Sequence, residues 1–461
     1  MKHFKVLATA LAAALLVACG GGGDGDQAPR VRYSSVVNFG DSLSDAGTYQ
    51  KNVMANVSSG APSGVFTVNG IAGAVGSDPV PTYTWAQLIG AAAVGTPTCA
   101  ARSGGFGSVG VAVAGCTNYA QGGSRVTDPK GVGNSVGVNN AAGPLTEPVV
   151  TQVANYLLDA NNAGLFKGTE LITVLAGAND IFGQTDILLA AATAAGGQAL
   201  VTSLVSQLVA GAPTAQQGAA QAAIYTATLK AATTAGATPT SIITAAVTAA
   251  AVHAGSNGYT NTAAANPVKV GETAGAAALA AGNTYAATTG AQNAVAGMAA
   301  AATTLAGYVK DMVSKGAKYV VVVNLPDVSQ TPMAALPENA ANKPLILAMT
   351  TAFNNTLQSA LAGTSGVLLV DAFSENQKQI ASPALYGITN VTDVACNLTS
   401  PANVVATSGK ADGSSLVCNT NNLIAGNTSR YLFADNVHPT PYGHKLLSQL
   451  VTKELTKAGW L

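Results

Sequence analysis

Residues 36–48 read VVNFGDSLSDAGT, and the fold turns on how this stretch is parsed. Val36-Val37-Asn38-Phe39 is a short, β-branched apolar run, the pattern of a buried strand and too brief for a helix. It stops at Gly40-Asp41-Ser42. Glycine lets the backbone turn sharply, and Asp and Ser suit the entry to a helix. A serine just past a strand end sits on a rigid scaffold, beside backbone N–H groups able to hold an anion, which is a good place for a nucleophile. The same residues make an ordinary helix cap, so the stretch by itself leaves both roles open.

Similar runs recur downstream. Residues 170–176 (ELITVLA) end at Gly177-Ala178-Asn179-Asp180, residues 319–325 (YVVVVNL) end at Pro326-Asp327, and residues 367–370 are followed by Asp371. Between them lie helical patterns. One opens at Thr146-Glu147-Pro148 with Val149, Val153, Tyr156 and Leu157 on one face; residues 345–361 have helical spacing. The last follows Thr440-Pro441 and carries Leu446, Leu447, Leu450, Val451 and Leu455 on one face. Near-continuous apolar strands alternating with helices predict a parallel sheet covered on both faces. In such sheets ligands bind at the carboxyl ends of the strands, where these polar turns lie. Residues 83–89 start a short helix, whereas 48–81 and 96–117 read as surface loops.

The chain has 461 residues, of which 48% are hydrophobic and 9% charged, with no net charge. That is enough apolar material for a large core and no basic field to hold nucleic acid. Lys2 and Lys5 precede an apolar stretch over residues 6–17, which ends Leu16-Val17-Ala18-Cys19 before four glycines. These residues resemble a bacterial lipoprotein signal, which implies cleavage after residue 18, lipid modification of Cys19 and, with Gly20 following, sorting to the outer membrane. Residues 19–32 then form a flexible tether. Cys99, Cys116, Cys396 and Cys418 remain, an even number in two local pairs. In an oxidising compartment Cys99–Cys116 and Cys396–Cys418 are the simplest of three connectivities.

Residues 184–302 interrupt the alternation. Between 187 and 306 the charged residues are Lys230, Lys269 and Glu272, in a background of Ala and Thr. Leu200, Val201, Leu204, Val205, Leu208 and Val209 form a helical stripe, so the stretch reads as a mostly helical insertion, a lid or a spacer. A structureless low-complexity spacer and a membrane span over 187–212 are its rivals. The remaining chain, 33–183 with 303–461, makes one α/β domain.

Serine hydrolysis needs a base, a carboxylate to orient it and donors for the oxyanion. The histidines are His3 in the leader, His253 in the insertion, His444 in the first turns of the last helix, and His438. His438 sits in Asp435-Asn436-Val437-His438-Pro439, where Asp435 reaches its Nδ1 if the segment turns. His444 reads as a surface or packing residue.

Four blocks then carry a resemblance. Residues 39–47 (FGDSLSDAG) look like the first block of the GDSL, or SGNH, esterase and lipase family. Residues 118–124 (NYAQGGS) resemble its second, Gly177-Ala178-Asn179-Asp180 its third and 435–439 its fifth. Gly-Asp-Ser alone is common by chance; four blocks in order are not. A departure is Thr48, where many relatives have asparagine. The resemblance implies a flavodoxin-like three-layer α/β/α sandwich and a catalytic Ser42, His438 and Asp435. Its oxyanion hole would be the Ser42 and Gly123 N–H groups with the Asn179 amide; Gly122 competes with Gly123. Asp45 and Asp180 read as structural. The implied protein is a lipid-anchored envelope or surface hydrolase of carboxylic esters, lipid, acyl or polyester, with no cofactor and no metal. The alternatives are an acyltransferase using the same site and a non-catalytic surface-binding lipoprotein.

Overall fold

The computed structural model describes residues 31–51, 53, 62–105, 108–128, 146–158, 162–253, 267–399 and 414–461. The expected leader, Cys19 and most of the expected tether lie outside them. In chain order the elements that matter are β1 (Ser35–Gly40), α1 (Trp85–Val94), β2 (Arg102–Gly105), β3 (Ser108–Ala112), α2 (Val149–Leu158), β4 (Glu170–Leu175) and α3 (Ala178–Val209). There follow α4 (Gln217–Ala232), α5 (Pro239–His253), α6 (Pro267–Tyr285), α7 (Ala291–Ser314), β5 (Tyr319–Val323), α8 (Lys343–Leu361) and β6 (Val367–Val370). The chain closes with α9 (Ala372–Ala381), β7 (Asn390–Val394), β8 (Tyr431–Phe433) and α10 (Pro441–Lys457).

The main sheet is parallel, in the order β1-β4-β5-β6. Along the free edge of β1 runs a further extended segment: the Asn38 N–H donates to Thr117 O, and the Tyr119 and Gln121 N–H groups donate to Asn38 O and Gly40 O. Counting that segment, strands in chain order lie 2-1-3-4-5. The chain leaves β1 to one side and returns to the other at β4, which opens a crevice at their carboxyl ends.

Period-two alternation divides the core. Val37, Phe39, Ile172, Val174, Val320 and Val322 face α2, α7 and α8. Val36, Leu171, Leu175, Val321 and Val323 face α1 and α10. Three layers result, helices on both faces of a parallel sheet, as in the SGNH hydrolases.

Two stretches read as surface loops are otherwise. Residues 96–117 contain the antiparallel ribbon β2–β3, between Cys99 and Cys116, which form a disulfide. Ser- and Gly-rich strands carry no apolar alternation, so period two is silent there. Within 48–81, Ser63, Val65, Phe66, Thr67, Val68 and Asn69 are buried. The Asn69 amide pins this segment, donating to Val65 O, Thr67 O, Ser415 O and Cys418 O.

The Ala/Thr-rich stretch is helical, with a core of its own in which Leu204, Leu208, Ile224, Ala246, Val270 and Ala274 are buried. Small residues let the backbones touch: a Cβ on Gly196 would lie 2.9 Å from Ala278 O. Threonine hydroxyls along these helices bond the carbonyl four residues back, as Thr202 does to Gln198 and Thr228 to Ile224, so they are not left to compete with the helix. Positions 184 and 302 both fall inside helices. α3 starts at the sheet and runs outward; α6 continues through one π turn, Ala286–Gly290, into α7, whose Ala294, Met298 and Ala302 are in the main core. By length and composition α3 could cross a membrane. Its first turn packs at the sheet through Ile181 and its last turns pack in the excursion's core through Leu204 and Leu208.

Candidate active site

Ser42 follows β1 immediately. At Gly40, with φ of +149°, a Cβ would fall 2.1 Å from Leu175 O, so no side chain fits where the chain crosses the end of β4. Gln152 of α2 clamps that turn, its Oε1 accepting from the Gly40 N–H and its Nε2 donating to Gly40 O, both at 2.8 Å. The serine is thereby presented from a fixed backbone at the crevice.

Ser42 Oγ lies 2.8 Å from His438 Nε2, and His438 Nδ1 lies 2.7 Å from Asp435 Oδ2. Asp435 Oδ1 accepts from the Val437 and His438 N–H groups, and Oδ2 also accepts from the Ser415 N–H at 2.6 Å. Burial alone would raise the Asp435 pKa, but the adjacent His438 and hydrogen bonding from Ser415 and the Val437 N–H hold it well below the usual carboxylate range. It therefore stays charged and fixes the His438 tautomer, leaving Nε2 to accept from Ser42. The Cys396–Cys418 disulfide braces the Ser415 donor: Cys418 N–H bonds Ser415 O, and Cys396 N–H bonds Ala434 O beside Asp435. Phe66 packs on the imidazole, ring centroids 4.9 Å apart.

Gly122 and Gly123 are separated by their partners. The Gly122 N–H donates to Asp45 Oδ2 at 2.9 Å, and Asp45 Oδ1 takes the Gly47 and Thr48 N–H groups. Gly122 is thus committed, whereas Gly123, with φ of +82°, has an N–H that meets no acceptor among the described residues. The Ser42 N–H is also unpaired there. Asn179, in the first turn of α3, donates one amide hydrogen to Ser124 O at 2.9 Å and keeps the other. Its neighbour Asp180 accepts from the Val126 N–H, so α3 grips the Gly123 loop on both sides. Burial pushes Asp180 up to about 6 and raises Asp45 as well.

Ser42, Gly123, Asn179 and His438 all open on one cavity of about 380 Å³. Its walls are mostly apolar, with Leu43, Phe66, Phe182, Leu447 and Leu450 among them, and no lining residue lies within 184–302. His444 is wholly buried and not at the surface: burial pushes its pKa down to about 3, and its Nδ1 accepts from the Trp85 N–H. His253 ends α5, in the excursion.

A model of the GDSL-like lipase/acylhydrolase family matches residues 36–284 and 275–451. The chain belongs to this family. No curated protein matches the sequence. Membership makes the chain a hydrolase of the esterase and lipase type. The sequence did not point to Gln152, Phe66 or Ser415. For Ser415 the nearest signal was Cys418 three residues on; a backbone donor leaves none of its own.

Proposed function

We propose that this GDSL-family hydrolase cleaves carboxylic esters through an acyl-enzyme on Ser42. The observation that carries this reading is the unbroken Ser42–His438–Asp435 hydrogen-bond chain, at 2.8 and 2.7 Å, opening on an apolar cavity. His438 Nε2 takes the Ser42 proton as Oγ bonds to the ester carbonyl carbon. The oxyanion receives the Ser42 and Gly123 N–H groups and the free Asn179 amide hydrogen, donors fixed before the substrate arrives. Collapse breaks the bond to the alcohol oxygen, which leaves with the proton from His438. Water, deprotonated by the same nitrogen, then releases the acid and restores Ser42.

Ser42→Ala should lower p-nitrophenyl butanoate turnover at least about 10⁴-fold and abolish fluorophosphonate labelling. Turnover within tenfold of wild type in a labelling-negative variant would remove Ser42 from the mechanism. The same proposal makes the enzyme a lipid-anchored protein of the bacterial envelope, held through Cys19 with residues 19–32 as tether; the stretch expected over 184–302 is an excursion from the hydrolase domain whose last turns, through Ala294, Met298 and Ala302, belong to the main core. The leader pattern and the two disulfides support it. Radiolabelled palmitate should enter the wild-type protein and not Cys19→Ser; equal labelling would refute the anchor.

A further inference from the structure

The cavity beside Ser42 extends into a slot between α9 and α10 whose walls differ in chemistry. Ala372, Asn376 and Gln379 line it from α9, together with Glu375, whose carboxylate pairs with Lys378; Gly443, Leu447 and Leu450 line it from α10. Each trio is spaced i, i+4, i+7, so each occupies one helix face. Both helices start at the active-site end of the sheet: α9 follows β6 through its cap Asp371, and α10 follows His438 through its cap Thr440. Ala372 and Gly443 therefore lie nearest Ser42, while Gln379 and Leu450 lie farthest down. Seven residues of helix advance about 10 Å, the length of roughly eight bonds of an extended chain.

One wall is hydrocarbon at its far end. The other ends in Gln379, a residue 7% exposed whose amide has no hydrogen-bond partner among the described residues. The amide opens on the cavity, where water can reach it, and a plain hydrocarbon chain filling the slot would displace that water without replacing the bond. A chain with an oxygen at that depth would satisfy the amide and lay its methylenes on Leu447 and Leu450. We propose that this slot binds the acyl part of the substrate and that Gln379 selects chains carrying an oxygen about seven or eight atoms beyond the scissile carbonyl. That chemistry belongs to aliphatic oligoesters and to hydroxyacyl chains. The inference rests on the reading of Ser42 as the nucleophile.

The test compares p-nitrophenol release from three esters of equal chain length: undecanoate, 6-(butanoyloxy)hexanoate and 7-hydroxyundecanoate. The readout is the ratio of kcat/KM for each oxygenated ester to that for undecanoate, which does not depend on the fraction of folded enzyme. In Gln379→Leu and the nearly isosteric Gln379→Met the ratio should fall about tenfold for at least one oxygenated ester. The ester that loses its advantage identifies the chain type. Leu450→Trp should fill the far end and lower kcat/KM for all three about tenfold relative to p-nitrophenyl butanoate. Ratios unmoved by both Gln379 variants would overturn the selection by Gln379, and an unmoved long-to-short ratio in Leu450→Trp would overturn the slot itself. No release from any ester, with no fluorophosphonate labelling of Ser42, would instead refute the acyl-enzyme reading.

Discussion

The two ends of α3 are built differently. At the sheet end Asn179 and Asp180 each reach a named backbone group of the 122–126 loop, and one amide hydrogen of Asn179 is left over. At the far end Leu204 and Leu208 pack on Ile224 and Val270, and Ile187, Leu189, Val252 and Leu279 elsewhere in the excursion stay largely exposed. Directional bonds fix a position to fractions of an ångström, as an oxyanion site requires; apolar packing fixes burial and tolerates many equivalent fillings. One helix thus joins a region held by directional bonds to a region held by apolar packing.

The contrast breaks most visibly at Asn179. Asn179→Ala removes a donor aimed where charge develops, and kcat on p-nitrophenyl butanoate should fall about 10²–10³-fold with little change in KM. A rise in KM alone would mean that the amide holds the loop and does not meet the oxyanion.

What could be read in advance follows the same division. Ser42, Asn179 and Asp435 sit where apolar runs stop, and the resemblance carried by four blocks joined them with Gly123 and His438 into one set. The apolar runs made the parallel sheet legible, and the resemblance pointed to the residues gathered at its end. Gln152, Phe66 and Ser415 were not legible, because each acts through a partner remote in sequence: Gly40, His438 and Asp435. A glutamine on a helix, a phenylalanine in a glycine-rich stretch and a backbone N–H give no local sign of such partners. The continuity of α3 and of α6 into α7 was hidden for another reason. Poly-Ala/Thr segments lack the caps and charge bias that mark where helices begin.

Close polar packing also has a cost, and Asp41 carries it. Its Oδ1 accepts from the Leu43 N–H, but Oδ2 has no partner, and burial pushes the pKa up to about 7. Unfolded, the group ionises near pH 4. Between about pH 4 and pH 7 the native state holds a proton that the unfolded chain has lost, so this group makes stability fall as pH rises through that window. Asp41→Asn keeps the acceptor and removes the charge. The variant should match wild type in Tm at pH 4 and exceed it at pH 8 by the equivalent of a few kcal/mol, of order 1.4 per pKa unit. A constant difference at all pH values would assign the effect to packing. Among the described residues of the excursion, α3 beyond its second turn included, no buried carboxylate would give a matching slope.

The smallest expected effect is the most demanding test of the division. A Cβ on Gly282 would lie 3.2 Å from Ala192 O, so the outgoing α3 and returning α6 already touch there. A turn of about four residues, the usual length between antiparallel helices, can therefore join 192 to 282 in place of 193–281. Such a deletion keeps Asn179 and Phe182, keeps Ala294, Met298 and Ala302 under the sheet, and takes nothing from the cavity wall. If site and excursion are energetically separate, the shortened enzyme should hydrolyse p-nitrophenyl butanoate within about threefold of wild type, since distant sites couple by only a few tenths of a kcal/mol. A loss beyond a hundredfold in a protein that still melts cooperatively would show that the distant helices hold the first turn of α3 in place. The separation of the two regions would then fail at Asn179, the residue on which it was drawn.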